Sequence, residues 1–349
     1  MNQNRVHIIF TGGTIAMRTN AEGLLVPASS GEALLQAIPQ LEKIADISTE
    51  QLCNVASAHL TSEIWLQTRR AIMAACADEG VAGVVLVQGT DTLEETAFFL
   101  DASISSADNL GKPIVLTGAM RNADETNADG PDNLRNAILL SVSAHSLEKP
   151  VMVCMFGRIH AARAVQKHHT TRTDAFVSTH HTPIGQVTDV GEVVFFEPRN
   201  TASHQTPTLR IADELNQLPK VDIIPIYVGA NEDALNSSVA AGAQAIVVQA
   251  LGAGNLNPSV FAAIEQALQK DIPIVIATRC WEGNAEPHYG YIGGGQTLAK
   301  IGACFAHDLP AHKARIYAQL LLAQLGSMQN KVTRVQKGFA QLTKPTSPT

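Results

Sequence analysis

Two apolar runs in this sequence end in turns that pair glycine with threonine. Val6-His7-Ile8-Ile9-Phe10 leads into Thr11-Gly12-Gly13-Thr14-Ile15-Ala16, and Val84-Val85-Leu86-Val87 leads into Gln88-Gly89-Thr90-Asp91-Thr92. A hydroxyl at the carboxyl end of a parallel strand lies where open α/β sheets bind ligands. Two such threonines, one followed at once by Asp91, suit a hydroxyl nucleophile better than a phosphate cradle, so acyl-bond hydrolysis is the first chemistry to consider. A threonine hydroxyl attacks carbonyls poorly until a base takes its proton. The Asp91 carboxylate only accepts hydrogen bonds, which suits it to orienting a group or holding a cation. A lysine desolvated in an apolar pocket can serve as the base, because burial lowers its pKa. Lys167, in the polar stretch Arg163-Ala164-Val165-Gln166-Lys167-His168-His169-Thr170, is the candidate. The plain alternative is that both threonines only cap the helices that follow.

A third turn, Leu116-Thr117-Gly118-Ala119-Met120-Arg121, is followed by Ala128-Asp129-Gly130-Pro131-Asp132-Asn133-Leu134. Backbone groups of such a loop can hold an amide or an oxyanion, while helix capping is the expected use of Asp129 or Asp132. Nucleotide signatures are missing. Gly252-Ala253-Gly254-Asn255 lacks the third glycine of the dinucleotide fingerprint, Gly293-Gly294-Gly295 does not join a strand to a helix start, and no Gly-x-x-x-x-Gly-Lys-Ser/Thr occurs. His168-His169 and His180-His181 are adjacent pairs, which on a strand face opposite ways and rarely share a metal. No metal site is expected.

The elements that must position these groups are legible as alternating strand and helix patterns. Strands are expected over 6–10, 83–87, 113–117, 150–155, 222–228, 244–249 and 272–277, and helices over 62–79, 92–104, 132–145, 208–217, 258–269 and 310–325. Continuous Val/Ile/Leu runs indicate strands buried on both faces, hence a mostly parallel sheet with helices on either side. From Pro258, Val260, Ile264 and Leu268 form a helical stripe. The pattern lapses near residues 197–210, a linker candidate rich in Pro and short polar residues. The expectation is a larger three-layer N-terminal α/β domain with a parallel sheet (1–205) and a smaller C-terminal α/β domain (206–349).

The composition sets further bounds. The 349 residues are 45% hydrophobic and 16% charged, which describes a globular chain with a substantial core. A formal charge of −7 gives no sign of nucleic-acid binding. The five scattered cysteines (Cys53, Cys76, Cys154, Cys280, Cys304) have no zinc or redox spacing and read as reduced thiols. No signal peptide or membrane span is expected, and the protein reads as cytoplasmic.

Taken together, the motifs resemble the bacterial L-asparaginase/glutaminase family of threonine amidohydrolases, from about residue 6 to residue 325. The resemblance rests on Thr-Gly-Gly-Thr-Ile-Ala at 11–16, Gln-Gly-Thr-Asp-Thr-Leu-Glu-Glu-Thr-Ala at 88–97 and Leu-Thr-Gly-Ala-Met-Arg at 116–121. Ala-Asp-Gly-Pro at 128–131, Gly-Asn-Leu at 254–256 and Tyr-Gly-Tyr-Ile-Gly-Gly-Gly at 289–295 extend it. It implies hydrolysis of the side-chain amide of L-asparagine by double displacement, with Thr14 attacking, ammonia leaving and water hydrolysing the acyl-enzyme. Thr90, Asp91 and Lys167 match the family's proton-transfer set, with Asp91 also facing the substrate's amino group. Ser57 matches the serine that holds the substrate carboxylate, and Ala119 the position whose carbonyl receives the amide nitrogen. Asn255 and Glu286 match residues that a neighbouring subunit lends. The resemblance further implies a homotetramer built from dimers and no cofactor.

Two departures stand out. The family's loop after Thr14 carries a tyrosine that bonds the nucleophile; here Leu24 or Leu25 occupies that place, and every tyrosine lies at or beyond Tyr227. Ser57 is followed by Ala58-His59, where relatives carry polar or acidic residues. Both changes make the pocket more apolar near the loop. They leave open glutamine, a larger or less charged amide, or a binding protein with weakened catalysis as alternatives to asparagine hydrolysis.

Overall fold

The computed structural model describes residues 5–13, 17–19, 22, 25–27, 35, 38, 41–179, 182–196, 206–324 and 330–342. Thr14, Leu24 and most of the linker candidate lie outside the described residues. The chain forms two compact units, Met1–Gln205 and Thr206–Thr349.

In the first unit the elements run β1 (Arg5–Phe10), β2 (Met17–Thr19), β3 (Leu25–Pro27), β4 (Asp46–Gln51), α1 (Ser62–Ala77), β5 (Val81–Val87), α2 (Leu93–Ser103), β6 (Ile114–Thr117) and α3 (Gly130–Val142). There follow β7 (Met152–Met155), β8 (Arg158–Ala161), β9 (Val165–Lys167), β10 (Phe176–Ser178), β11 (Gly185–Val187) and β12 (Val193–Phe195). Eight strands form one sheet in the order β12-β11-β8-β7-β6-β5-β1-β4. From β4 to β7 the neighbours are parallel, whereas β8, β11 and β12 add an antiparallel margin. The sheet is therefore mixed, not parallel throughout. Its antiparallel strands are three or four residues long and partly exposed, so they leave no continuous apolar run in the sequence.

Val84, Val85, Leu86 and Val87 are all fully buried, so β5 is covered on both faces. Leu134, Ala137 and Ile138 of α3 join Val85, Val87 and Val115 in one apolar core. Helices α1 and α2 meet where Trp65 stacks on Phe99 at 5.3 Å and donates from Nε1 to Thr96 Oγ1 at 2.9 Å. Helix α1 begins where Thr61 Oγ1 accepts from the Ile64 nitrogen, an N-cap that satisfies one orphan donor.

The second unit carries β13 (Val221–Pro225), α4 (Asp233–Ala240), β14 (Ala245–Ala250), α5 (Pro258–Gln269), β15 (Ile274–Thr278), α6 (Gly295–Ile301), β16 (Cys304–Phe305), α7 (Ala311–Gln324) and α8 (Lys331–Gln341). Its four strands are parallel in the order β13-β14-β15-β16. Asn257 caps α5 by accepting from the Val260 nitrogen at 3.0 Å, and Pro258 opens the helix. The helix expected over 208–217 does not form. Leu209 and Ile211 are buried while Arg210 between them is exposed, a period of two that fits extended chain and not a helix. Helices α4, α6 and α8 have no counterpart among the expected elements.

His312, at the start of α7, is held neutral. Burial, reinforced by the charges of Lys313 and Arg315, pulls its pKa from 6.5 down to about 3. The unfolded chain takes up this proton near pH 6.5 and the folded chain only near pH 3, so the contribution is intact above pH 6.5 and is lost as pH falls towards 3. The slope is about 1.4 kcal/mol per pH unit. Between pH 6.5 and pH 5, His312→Gln is expected to lose about 2 kcal/mol less stability than the parent in urea titrations. Parallel acid dependence of the two proteins would refute this.

Candidate active site

The site is built where β1, β5 and β6 end. The Thr11 nitrogen and hydroxyl both donate to the Val87 carbonyl, at 3.0 and 3.2 Å, and the Gln88 nitrogen donates to the Thr117 carbonyl at 3.0 Å. The turns then pack backbone against backbone. A Cβ at Gly13, whose φ is +101°, would lie 2.2 Å from the Gly89 nitrogen. A Cβ at Gly118 would lie 2.4 Å from the Gln88 carbonyl oxygen. Only glycine permits such approach.

Beyond Gly89 the chain makes a tight turn over Thr90–Thr92 and enters α2. The Thr90 side chain has no capping bond to the helix. Its Oγ1 instead accepts a hydrogen bond from Lys167 Nζ at 2.8 Å, and the same Nζ meets Asp91 Oδ1 at 2.6 Å. Thr90 is buried, the Lys167 side chain is 14% exposed and that of Asp91 is 69% exposed. The arrangement is an ammonium at the bottom with one face of a carboxylate open to an arriving cation. That chemistry fits proton traffic at a hydroxyl together with recognition of a substrate amine.

Lys167 reaches this point from β9, which pairs only with β10 and lies outside the eight-stranded sheet. Its backbone nitrogen donates to the carboxylate of Glu94 in the first turn of α2.

Ser57 is buried beside Gly89, where a Cβ on that glycine would approach Ser57 Oγ to 2.9 Å. A short relay fixes it: Gln88 Nε2 donates to Thr92 Oγ1 at 3.3 Å, and Thr92 Oγ1 donates to the Ser57 carbonyl at 3.1 Å.

Ala119 is buried in the turn after β6. Asp129 makes no capping bond to α3, contrary to expectation. Its carboxylate accepts from the Met120 nitrogen at 3.1 Å and from the Arg121 nitrogen at 2.9 Å, and thus clamps the turn that carries Ala119. Asn133 donates to the Gly118 carbonyl at 3.1 Å and to Asp129 at 3.0 Å. Asp132, likewise expected as a cap, makes none of these bonds.

Ser57, Thr90, Asp91, Ala119 and Lys167 thus belong to the first unit, while Asn255 and Glu286 belong to the second. Asn255 closes a turn by exchanging backbone bonds with Leu251, and its Oδ1 is buried without a hydrogen-bond partner among the described residues. The Glu286 nitrogen donates to the Ala253 carbonyl at 2.9 Å, which brings these two loops together. The Glu286 carboxylate accepts from Asn284 at 2.9 Å and meets His288 Nε2 at 3.2 Å. Thr14 lies outside the described residues, next in the chain to Gly13. Among the described residues no group of three or more His, Cys, Asp or Glu side chains is placed to hold a metal ion.

Sequence reasoning missed Glu94 and the clamping role of Asp129. Glu94 carried one signal, its position four residues after Thr90 at a helix start, which places both on one side of a turn.

Comparison with known proteins shows the family. Residues 5–201 match the family model described as asparaginase, N-terminal, and residues 220–335 match the glutaminase/asparaginase C-terminal domain. The chain is 32% identical to L-asparaginase 2 of Bacillus subtilis over 93% of its own length and 84% of that protein's. It is 37% identical to a "probable L-asparaginase" of Deinococcus radiodurans, over 95% of its own length and 96% of that protein's. A crystal structure of the "probable cytoplasmic L-asparaginase" of Campylobacter jejuni superposes with a TM-score of 0.83. It is 34% identical, and the match covers 97% of this chain and 99% of that one.

Proposed function

The chain belongs to the asparaginase family, and from that premise we propose that it hydrolyses the side-chain amide of L-asparagine to L-aspartate and ammonia, with Thr14 as nucleophile. The observation that carries this reading is the Thr90–Lys167–Asp91 contact set, assembled at the end of β5 beside the strand that leads into Thr14. In the first step the Thr14 oxygen bonds to the amide carbon, the C–N bond breaks, and nitrogen leaves as ammonia with a proton passed to it through Thr90 and Lys167. In the second, the water oxygen bonds to the acyl carbon, the ester C–O bond to Thr14 breaks, and the proton lost by water returns to the Thr14 oxygen by the same set, releasing L-aspartate. The exposed face of Asp91 receives the substrate ammonium, Ser57 the α-carboxylate, and the Ala119 carbonyl the amide nitrogen. Asn255 and Glu286 complete the site from a neighbouring subunit in a homotetramer without a cofactor.

Support for assembly comes from the second unit, which exposes Val228 (95%) and Ile292 (62%) together with Tyr227, Tyr289 and Tyr291. Tyr289 and Tyr291 lie ring to ring at 5.7 Å, and exposed apolar patches commonly mark protein contacts. The five cysteines are all free thiols, which favours a reducing, cytoplasmic setting. No helix among the described residues is long and apolar enough to cross a membrane.

A second reading rests on the absent loop tyrosine, since no tyrosine precedes Tyr227. Losing one activating hydrogen bond costs on the order of 10²-fold in rate, and a loop bearing Leu24 and Leu25 would favour an amide with an apolar portion. Ammonia release by the purified protein from L-asparagine, L-glutamine and N-substituted or ester-blocked asparagines tests both readings. Asparagine is expected to have the highest kcat/KM. A blocked analogue outpacing it would shift the substrate class, and no release from any amide would overturn the hydrolase reading.

A further inference from the structure

Lys167 is held at both ends by one short stretch of chain. Its Nζ is bound by Thr90 and Asp91, and its backbone nitrogen by Glu94, all within residues 90–94. The hairpin that carries Lys167 has no ladder to the main sheet, because β9 pairs only with β10. Buried Val165 and Phe176 hold the hairpin against the core, and the Glu94 contact is the one that ties the Lys167 backbone directly to the helix start following Thr90 and Asp91. We infer that Glu94 is the positioning residue for Lys167: its carboxylate anchors the lysine backbone to the same helix start that bears Thr90 and Asp91, and so sets the Nζ-to-hydroxyl distance. This rests on the proton-transfer role proposed above for Lys167.

The geometry explains why a carboxylate occupies this position. An Asp or Glu in the first turn of a helix is ordinarily accounted for by the positive end of the helix dipole. Glu94 is in that turn, yet its carboxylate accepts from a residue 73 positions away in sequence. What the contact requires is reach, an acceptor oxygen carried out to the Lys167 nitrogen by a side chain of this length. Because Thr90 and Glu94 ride on one rigid turn, any displacement of the helix start moves the hydroxyl and the lysine together. Without the anchor, the long lysine stem must find Thr90 from a hairpin tied to the main sheet by side-chain contacts, such as His160 Nδ1 with Ser178 Oγ at 2.8 Å, and by no backbone ladder. A misplacement of about 1 Å is enough to cost on the order of 10²-fold in rate.

Reach and charge are separated by two substitutions. Glu94→Gln keeps an acceptor oxygen at the same distance and removes the charge; Glu94→Asp keeps the charge and withdraws the oxygen by one methylene. Glu94→Gln is expected to retain kcat for L-asparagine within about 5-fold, and Glu94→Asp to lose about 10- to 100-fold with KM changed less than about 3-fold. The pH profile of kcat is expected to shift in Glu94→Asp and to stay near the parental one in Glu94→Gln. An activity-independent readout is the rate at which Lys167 is acetylated by acetic anhydride, followed by peptide mass spectrometry. It is expected to rise several-fold in Glu94→Asp and to remain parental in Glu94→Gln. Unchanged kcat and unchanged labelling in Glu94→Asp would overturn the inference, as would equal damage in both variants or a loss confined to KM. Altered labelling in a protein that releases no ammonia would uphold the anchoring while refuting the catalytic reading it serves.

Discussion

Replacing Lys167 with methionine is expected to lower kcat for L-asparagine by about 10²- to 10⁴-fold, the range for removing a general acid–base group, with KM changed far less. Methionine keeps much of the stem and removes only the ammonium that meets Thr90 at 2.8 Å and Asp91 at 2.6 Å. The Asp91 carboxylate left behind is 69% exposed, so water takes over its hydration and the fold loses about 1 kcal/mol at most. Activity and stability should therefore separate, which steady-state kinetics beside a thermal melt will show. Thr90→Val combined with Lys167→Met should be no worse than the poorer single variant, because groups that act as a unit are not additive. A loss below 10-fold in Lys167→Met would place the proton elsewhere.

Thr14→Ala is expected to leave no more than about 10⁻⁴ of the parental kcat, since a covalent pathway ends with its nucleophile. Acid quenching of the parent during turnover, followed by peptide mass measurement, should find an acyl adduct on the peptide containing Thr14 and none in the variant. If Thr14→Ala retains a tenth of the activity, or if the adduct forms on Thr90, the roles of the two threonines must be exchanged. Gly13, next in the chain to Thr14, packs against Gly89, the residue before Thr90. The adduct decides between the two threonines.

The interior of both sheets was legible because burial on both faces writes itself as unbroken Val/Ile/Leu runs. β1, β5 and β14 follow from that rule, as does α5 from the apolar stripe that follows Pro258. The antiparallel margin β8–β11–β12 was not legible, since strands of three or four residues are too short to show a period. Residues 208–217 misled because their apolar spacing admits two periods, and the burial of Leu209 and Ile211 selected the extended one. Within the site, Thr90, Asp91 and Lys167 could be named from residue type and from family resemblance, though 77 positions separate the first from the last. Glu94 and Asp129 stayed hidden for a common reason. An acid at a helix start has an adequate local explanation, and only coordinates reveal that its oxygen is spent on a distant backbone.

Under this site Gly13 and Gly118 press on bare main chain and Gly89 on the Ser57 side chain, so an added methyl at any of them collides with its neighbour. At these three positions there is no side chain to exchange. Any retuning of substrate choice, by descent or by design, is thereby left to the side chains around them, Ser57 and its neighbours Ala58 and His59 among them. Libraries aimed at a new amide will find tolerance there and almost none beneath.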